Sequence, residues 1–332
     1  MQAYLMRTVR VLCIALAVAL GCQMIAAQSL SYSRGQNASP AFEGWEENPD
    51  GTFSMLFGYM NRNWDEEIDV LVGPENGFSP GAADQGQPTH FLPRRNRFVF
   101  KVVVPKDFGT KELVWTLTTK GKTEKAYATL RTDSKVDDVV RASETGALGA
   151  GTSSPEVRSN KAPTVKIEGE LKRTAKVGQP ITVVALVTDD GIPKRRGLGG
   201  VGSGSGQQGR AAGRGAGAGR GAQADPNAPP RPLFNPPSRV TVGKVVGLHL
   251  SWFVYRGEGK VTFDPPQVKP WEDTRSGANS PWAPLWTPPP VPEDGRYAAS
   301  VTFDEPGTYV LRALADDGAL FGNQEMTVTV TP

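Results

Sequence analysis

From Thr52 to Asp133 the apolar positions come in short runs, TFSMLFGYM, EIDVLVG, RFVFKVVV, ELVWTLTT and EKAYATLR, separated by Gly, Pro, Asn and Asp. Runs of this length, rich in Val, Phe, Tyr, Trp and Thr, predict strands. RFVFKVVV and ELVWTLTT alternate in part between apolar and polar positions, as strands with one buried face do. TTKGKTE predicts a tight hairpin between two of the strands. No helical stripe of useful length interrupts the series, so a β-sandwich is expected over residues 40–133.

Residues 134–162 read as a connection. Val136, Val139 and Val140 allow one or two helical turns, and GALGAGTSSPEVRSNKAP is linker chemistry. Strand patterns resume with TVKIEGEL and PITVVALVTDD, stop at a low-complexity run that lasts to about Pro237, and return as VVGLHLSWFVY, KVTFD, RYAASVTFD, TYVLRALAD and EMTVTVT. Two strands alone are marginal in water. Joined to the later five they make a seven-stranded sandwich over residues 163–332, so the Gly/Arg-rich run is expected to interrupt a domain rather than to link two.

The stretches APTVKIEG, VGQPITVVALVTDDGIP, LHLSWFVYRGEGKVTFDPP and VTFDEPGTYVLRALADDGALFGNQEMTVTV together resemble a PKD-like repeat of bacterial secreted and surface proteins, over about residues 161–332. The resemblance implies an Ig-like sandwich and leaves function open, because such modules serve as spacers, adhesion units and accessory domains. Two insertions depart from the pattern, one at about 193–237 and a Trp/Pro-rich one at about 265–295. In an up-and-down order both emerge at the pole that also carries ADDGALFGNQ. The expected fold class is all-β: two Ig-like antiparallel β-sandwich domains, the second interrupted by a disordered Gly/Arg-rich loop.

The N-terminus changes the compartment. Arg7 and Arg10, the apolar run VLCIALAVALG and a cleavage site after Ala27 predict a signal peptide over residues 1–27. That run is shorter than the roughly 20 residues a membrane-spanning helix needs, so no transmembrane helix is expected in the mature chain. The protein is expected to be exported to the periplasm, outer surface or exterior, with lipid anchoring through Cys22 as the alternative. The two cysteines, Cys13 and Cys22, both lie in the signal, so cleavage after Ala27 removes thiol chemistry. The formal charge of +3 hides an uneven distribution: residues 191–240 hold eight basic residues and one acid. RGAGAGRG resembles RNA-binding tracts, but export argues against nucleic acid; the run reads first as a tolerated insertion and otherwise as a basic loop that contacts anionic envelope polymers.

Catalytic chemistry has little to stand on. There are two histidines; His90 is read as a loop residue and His249 as a strand-face residue, and nothing resembles GxSxG or HExxH. The GLGGVG of residues 197–202 lacks the helix a phosphate cradle needs. Glu46, Glu47, Asp65, Glu66 and Glu67 are numerous enough to permit a paired-carboxylate hydrolase in the first domain. Asp189–Asp190 and Asp316–Asp317 are turn formers that could together ligate calcium; no other cofactor is implied. Trp271, Trp282 and Trp286 stand among prolines, either stacking on a ligand or pinning their own loop, whereas Trp252 is expected in the core. Arg94, Arg95 and Arg97 read as a solvated strand entry, and the sequon at Asn37 as incidental. The expectation is an exported non-enzymatic binding or structural module. Its partner would be a glycan, an envelope polymer or another surface protein, engaged through the tryptophan loop. The hydrolase is the alternative.

Overall fold

The computed structural model of the chain describes residues 33–144, 155–194, 244, 247–270 and 288–332. The signal segment, the Gly/Arg-rich run and residues 271–287, which include all three loop tryptophans, lie outside the described residues.

The first sandwich packs two three-stranded antiparallel sheets face to face. One joins β1 (Ala38–Glu47), β2 (Phe53–Asn61) and β6 (Arg94–Val104) in the order β1-β2-β6. The other joins β4 (Asn76–Ser79), β7 (Leu113–Thr119) and β8 (Lys122–Ala128) in the order β4-β7-β8, and the short β3 (Ile68–Asp69) and β5 (His90–Phe91) pair beside them. In β7 the alternation turns Leu113, Trp115, Leu117 and Thr119 inward. Phe57, Phe78, Phe100 and Trp115 meet edge-on and stacked at 5.1–6.1 Å between centroids, the geometry that adds to area burial. A polar hub sits among them: Asn76 Oδ1 accepts from Trp115 Nε1 at 2.9 Å, while Asn76 Nδ2 donates to the carbonyls of Val70 and Pro88.

EIDVLVG is a strand over Ile68–Asp69 only. The run breaks where Gly73 and Asn76 exchange backbone hydrogen bonds at 3.1 Å, which turns the chain into β4. β1 and β4 carry no apolar run, and β1 is further divided by a bulge at Gly44.

Among the described residues the second sandwich has eight strands: β9 (Thr164–Ile167), β10 (Lys172–Lys176), β11 (Ile181–Thr188), β12 (His249–Arg256), β13 (Val261–Asp264), β14 (Arg296–Phe303), β15 (Gly307–Asp316) and β16 (Phe321–Thr331). They form sheets β13-β14-β11-β9 and β10-β16-β15-β12. Val183 and Ala185, before the Gly/Arg-rich run, share one core with Trp252 and Val254 after it. TVKIEGEL, read as one strand, is a strand over Thr164–Ile167 only, and β10, which the sequence pattern does not predict, follows from Lys172. Gly169 at φ +76° lets the chain leave one sheet and enter the other, where β10 pairs with β16 in parallel. The sandwich therefore has one parallel pair among antiparallel ones. Tyr309, at the start of β15, donates its hydroxyl to the Glu305 carbonyl at 3.0 Å, the corner expected of an Ig-like sandwich.

The connection is built into both sandwiches. Trp45 Nε1 donates to Arg131 O at 2.7 Å and Val136 N to Trp45 O at 2.9 Å, so residues 131–136 run along the end of β1. A short helix, α1 (Asp138–Glu144), follows. Its Ala142 is buried against Ala319 and Leu320 of the second sandwich.

A second junction is a direct seam. β12 turns Trp252 and Val254 into its own core, and Phe253 and Tyr255 are buried as well. Residues 84–90 of the first sandwich lie along the edge of β12. Thr89 N donates to Tyr255 O at 3.2 Å, Gly257 N to Thr89 Oγ1 at 3.1 Å, and Tyr255 Oη to Gly86 O at 2.5 Å. Arg312, buried in β15, stacks 3.5 Å from the Tyr255 ring centroid, pairs with Glu325 and donates to Val99 O at 2.6 Å. Burial pushes the Tyr255 phenol up to about 12.

Candidate functional site

The pole bearing the acidic pairs is assembled from the end of β11, the end of β15 and the chain that enters β9. Each carboxylate is engaged by the turn it starts. Asp189 Oδ2 accepts from Gly191 N and Asp190 Oδ1 from Ile192 N, both at 2.9 Å. Asp316 Oδ1 accepts from Gly318 N at 2.7 Å, and Asp317 Oδ1 accepts from Ala319 N and Leu320 N at 2.6 and 2.7 Å. This is the local side-chain-to-backbone bonding that favours Asp in turns.

Asn160 and Lys161, the residues just before β9, reach the two pairs in turn. Asn160 Nδ2 donates to Asp317 Oδ2 and Lys161 N to Asp190 Oδ2, each at 3.0 Å. Lys244 Nζ stands 3.0 Å from Asp316 Oδ2, with both side chains buried. Among the described residues no group of three or more His, Cys, Asp or Glu side chains has the arrangement of a metal site. The pairs are neighbours through intervening residues rather than through converging oxygens.

The electrostatics of the pairs differ. Burial, and secondarily the charge of Asp316, raise Asp317 to about 6 against three hydrogen bonds that pull the other way. Asp189 is also raised, by burial first and by Asp190 after the opposing amide of Gly191.

Trp271, Trp282 and Trp286 lie outside the described residues, but their insertion is anchored at both ends. From β13 the chain crosses to β12, where Ser251 Oγ donates to Val268 O at 2.6 Å and Trp252 N to Gln267 Oε1 at 3.0 Å. Lys269 Nζ then donates to Asn96 Oδ1 of the first sandwich at 2.7 Å. The insertion returns beside the end of β11, where Val187 N donates to Gly295 O at 2.9 Å. It therefore leaves from the seam and arrives at the pole, whereas the strand order had put both ends at the pole.

Four of the five acids considered for a hydrolase are spread over separate ion pairs. Glu46 faces Lys101 and Arg141, Glu47 faces Lys135, Glu66 faces Lys120, and Glu67 faces His90. His90, read as a loop residue, is a buried member of β5 with Nδ1 2.6 Å from Asp69 Oδ1. His249 is buried at the start of β12, its Nδ1 3.2 Å from Gly247 O. Trp252 is in the core. Arg95 pairs with a largely buried Glu43 at 2.5 Å and Arg94 lies over the Trp64 ring, so this cluster is packed rather than solvated. Asn37 is buried and bonded to Glu124.

The seam was not foreseen as a feature of the molecule. Its one local signal is VVGLHLSWFVY, a strand apolar on both faces, which requires a cover on each. Tyr59, Asn96, Arg97, Phe253, Lys269 and Phe321 line a narrow cleft along it.

No protein-family model matches the chain, and no curated protein matches it. Solved structures do. The chain is similar to the S-layer protein rSbsC at 8% identity and TM-score 0.22, covering 89% of this chain and 28% of that one. It is similar to the Yersinia pseudotuberculosis adhesin InvE at 10% identity and TM-score 0.21, covering 90% of this chain and 60% of that one. A domain of Intimin aligns at 10% identity and TM-score 0.20, covering 88% of this chain and 100% of that one. The chain thus spans less than two thirds of the first two proteins. TM-scores this low carry no argument about what the chain binds, and its own sheets establish the β-sandwich architecture.

Proposed function

We propose that the chain is an exported, non-enzymatic module of a bacterial surface or secreted protein, with a PKD-like second sandwich and a signal peptide ending at Ala27 or a lipid anchor at Cys22. Its role is to hold a loop-bearing pole in a fixed orientation for contact with a glycan, another envelope polymer or a second surface protein. The observation that carries this reading is the hydrogen-bonded seam. Two sandwiches joined by Thr89, Arg256 and the buried Arg312 support a presenting or spacing unit. The separate ion pairs of Glu46, Glu47, Glu66 and Glu67 support it against the hydrolase.

Within this reading the tryptophan loop is the contact surface, because prolines limit the entropy lost when a loop is fixed on a ligand and each indole offers a large apolar face. The test is a pull-down of envelope polysaccharide and envelope protein fractions with the mature chain and with Trp282→Ala/Trp286→Ala. Loss of the captured component with an unchanged Tm supports the loop as the contact. Retained capture with a Tm lowered by several degrees makes the rings structural pins and moves the contact elsewhere.

A further inference from the structure

The β3–β5 ladder sets Asp69 opposite His90. The buried imidazole lies between two carboxylates, with Nδ1 2.6 Å from Asp69 Oδ1 and Nε2 3.0 Å from Glu67 Oε2. A neutral imidazole has one N–H, so a ring facing two carboxylates can donate to both only as an imidazolium. His90 also sits at a mechanical junction. Thr89, just before it, makes the backbone and hydroxyl contacts to Tyr255 and Gly257, and Phe91, just after it, is fully buried in the first core.

The charges around this junction are unevenly signed. Arg97 of β6, Arg312 of β15 and Lys269 border the cleft that His90 lines, with Tyr255 and Tyr59 as its phenols. On the other side, Asp69 belongs to an acidic group. Burial first, then Glu305, Asp304, Asp69 and Glu258, hold the Tyr309 phenol above its ordinary value. Asp69 comes from the first sandwich and the other three acids from the second, where Asp304 is paired with Lys260. The His90 ring is the group that Asp69 contacts directly.

We propose that His90 is a proton-held clasp for the domain seam: charged, it ties Glu67 and Asp69 to the strap of residues 84–90, and loss of its proton loosens that strap from the second sandwich. Deprotonation leaves one of the two carboxylates, Asp69 or Glu67, facing a ring lone pair. The first β-sandwich core remains folded, because the strap reaches it through Phe91 rather than through the ion pairs.

Hydrogen–deuterium exchange on the full chain tests this at about pH 5 and about pH 8.5, which bracket the interval of about pH 5–8 in which histidines in general change charge, with rates corrected for intrinsic exchange. The amides of Thr89 and Gly257 are expected to lose protection severalfold at the higher pH, while those of Leu113–Thr119 in the first core keep theirs. His90→Gln should show the looser strap at both pH values. Asp69→Asn, which removes one of the two charges and keeps the shape, should reduce the pH dependence. A strap equally protected at both pH values in the unaltered protein overturns the proposal, as does His90→Gln with wild-type protection. Should His90→Gln fail to fold, the unaltered protein and Asp69→Asn decide between the outcomes.

Discussion

Arg256 of β12 meets Asp84 of the first sandwich in a two-pronged ion pair, Nη1 to Oδ2 at 3.0 Å and Nη2 to Oδ1 at 2.7 Å, while its Nε donates to Gln87 O at 2.8 Å. The three bonds differ in exposure. The Asp84 side chain is 52% exposed, so solvent screens the ion pair, whereas the Arg256 side chain is 23% exposed.

Asp84→Ala is therefore expected to cost under about 1 kcal/mol. Arg256→Ala should cost about 1–3 kcal/mol, since it also strands a backbone carbonyl and removes the packed aliphatic stem. Urea unfolding of both variants checks the ratio. Asp84 is held below its ordinary value first by the hydrogen bond from Arg256. Its small contribution is present above the ordinary value of 3.8 and is lost as pH falls through the lowered one. Equal costs for the two substitutions would mean that the Gln87 bond adds nothing to the seam.

Asn76 offers a sharper case, because all three of its side-chain bonds are made in the first core. Asn76→Ala leaves the Trp115 indole N–H and the carbonyls of Val70 and Pro88 without partners. The expected loss is about 3 kcal/mol or more, since each stranded buried group costs about 1–3 kcal/mol. Thermal unfolding followed by near-UV dichroism of the tryptophans measures it. A loss under about 1 kcal/mol would show that water replaces the amide.

Where the pattern is local, the sequence is readable. Leu113, Trp115 and Leu117 alternate with Val114, Thr116 and Thr118 and face the core as alternation requires. Trp252 and Val254 do the same in β12. What escapes is set by partners far along the chain. Phe253 and Tyr255 are as apolar as their inward neighbours, yet the Tyr255 hydroxyl meets Gly86, 169 residues away. Nothing in the local pattern names that partner. β1 escapes for a different reason: its outward Glu46 answers Lys101 and Arg141, so a buried strand reads as an acidic loop. Asp317 was legible as a turn former, but its neutralising tendency follows from burial, which outweighs the opposing hydrogen bond from Asn160, and only the folded chain supplies that burial.

Gly257 has φ +131°, and a Cβ there would stand 2.5 Å from Tyr309 Cδ1. Gly121, at φ +73° in the β7–β8 hairpin, has open space around its Cβ position. Alanine at Gly121 is expected to cost about 1 kcal/mol, the left-handed backbone term alone. Alanine at Gly257 should cost about 2–4 kcal/mol, because the fully buried Tyr309 ring must also move. Guanidinium unfolding of the pair separates backbone strain from contact. Equal losses would mean the tyrosine corner accommodates the methyl.

Calcium distinguishes two uses of the acidic pole. The turn amides, Asn160, Lys161 and Lys244 already engage the four carboxylates, and a cation would have to displace Lys244 to reach Asp316 Oδ2. The expected outcome is a Tm unchanged between chelator and millimolar calcium. A rise of several degrees that Asp317→Asn abolishes would assign Asp189, Asp190, Asp316 and Asp317 to a calcium site.

The same carboxylate fixes the sign of one pH effect. Asp317 is fully buried, and burial raises it from 3.8 to about 6. A folded value above the unfolded one means that the native state holds the proton more tightly. Its contribution is then complete below about 3.8 and is lost as pH rises through about 6. The shift corresponds to about 3 kcal/mol between those limits, at roughly 1.4 kcal/mol per unit. Protonation also has a place to donate. Asn160 Oδ1 has no hydrogen-bond partner among the described residues, and a turn of its amide would bring it to the protonated Asp317 Oδ2. Asp317→Asn reproduces that arrangement at every pH, since the new amide can still accept from Ala319 and Leu320 while donating to Asn160. It is expected to stabilise the protein at about pH 7.5, to be nearly neutral at about pH 4, and to flatten the wild-type rise in stability towards acid between those values. Urea midpoints for both proteins across that window measure it, and parallel pH profiles would assign the dependence to another group.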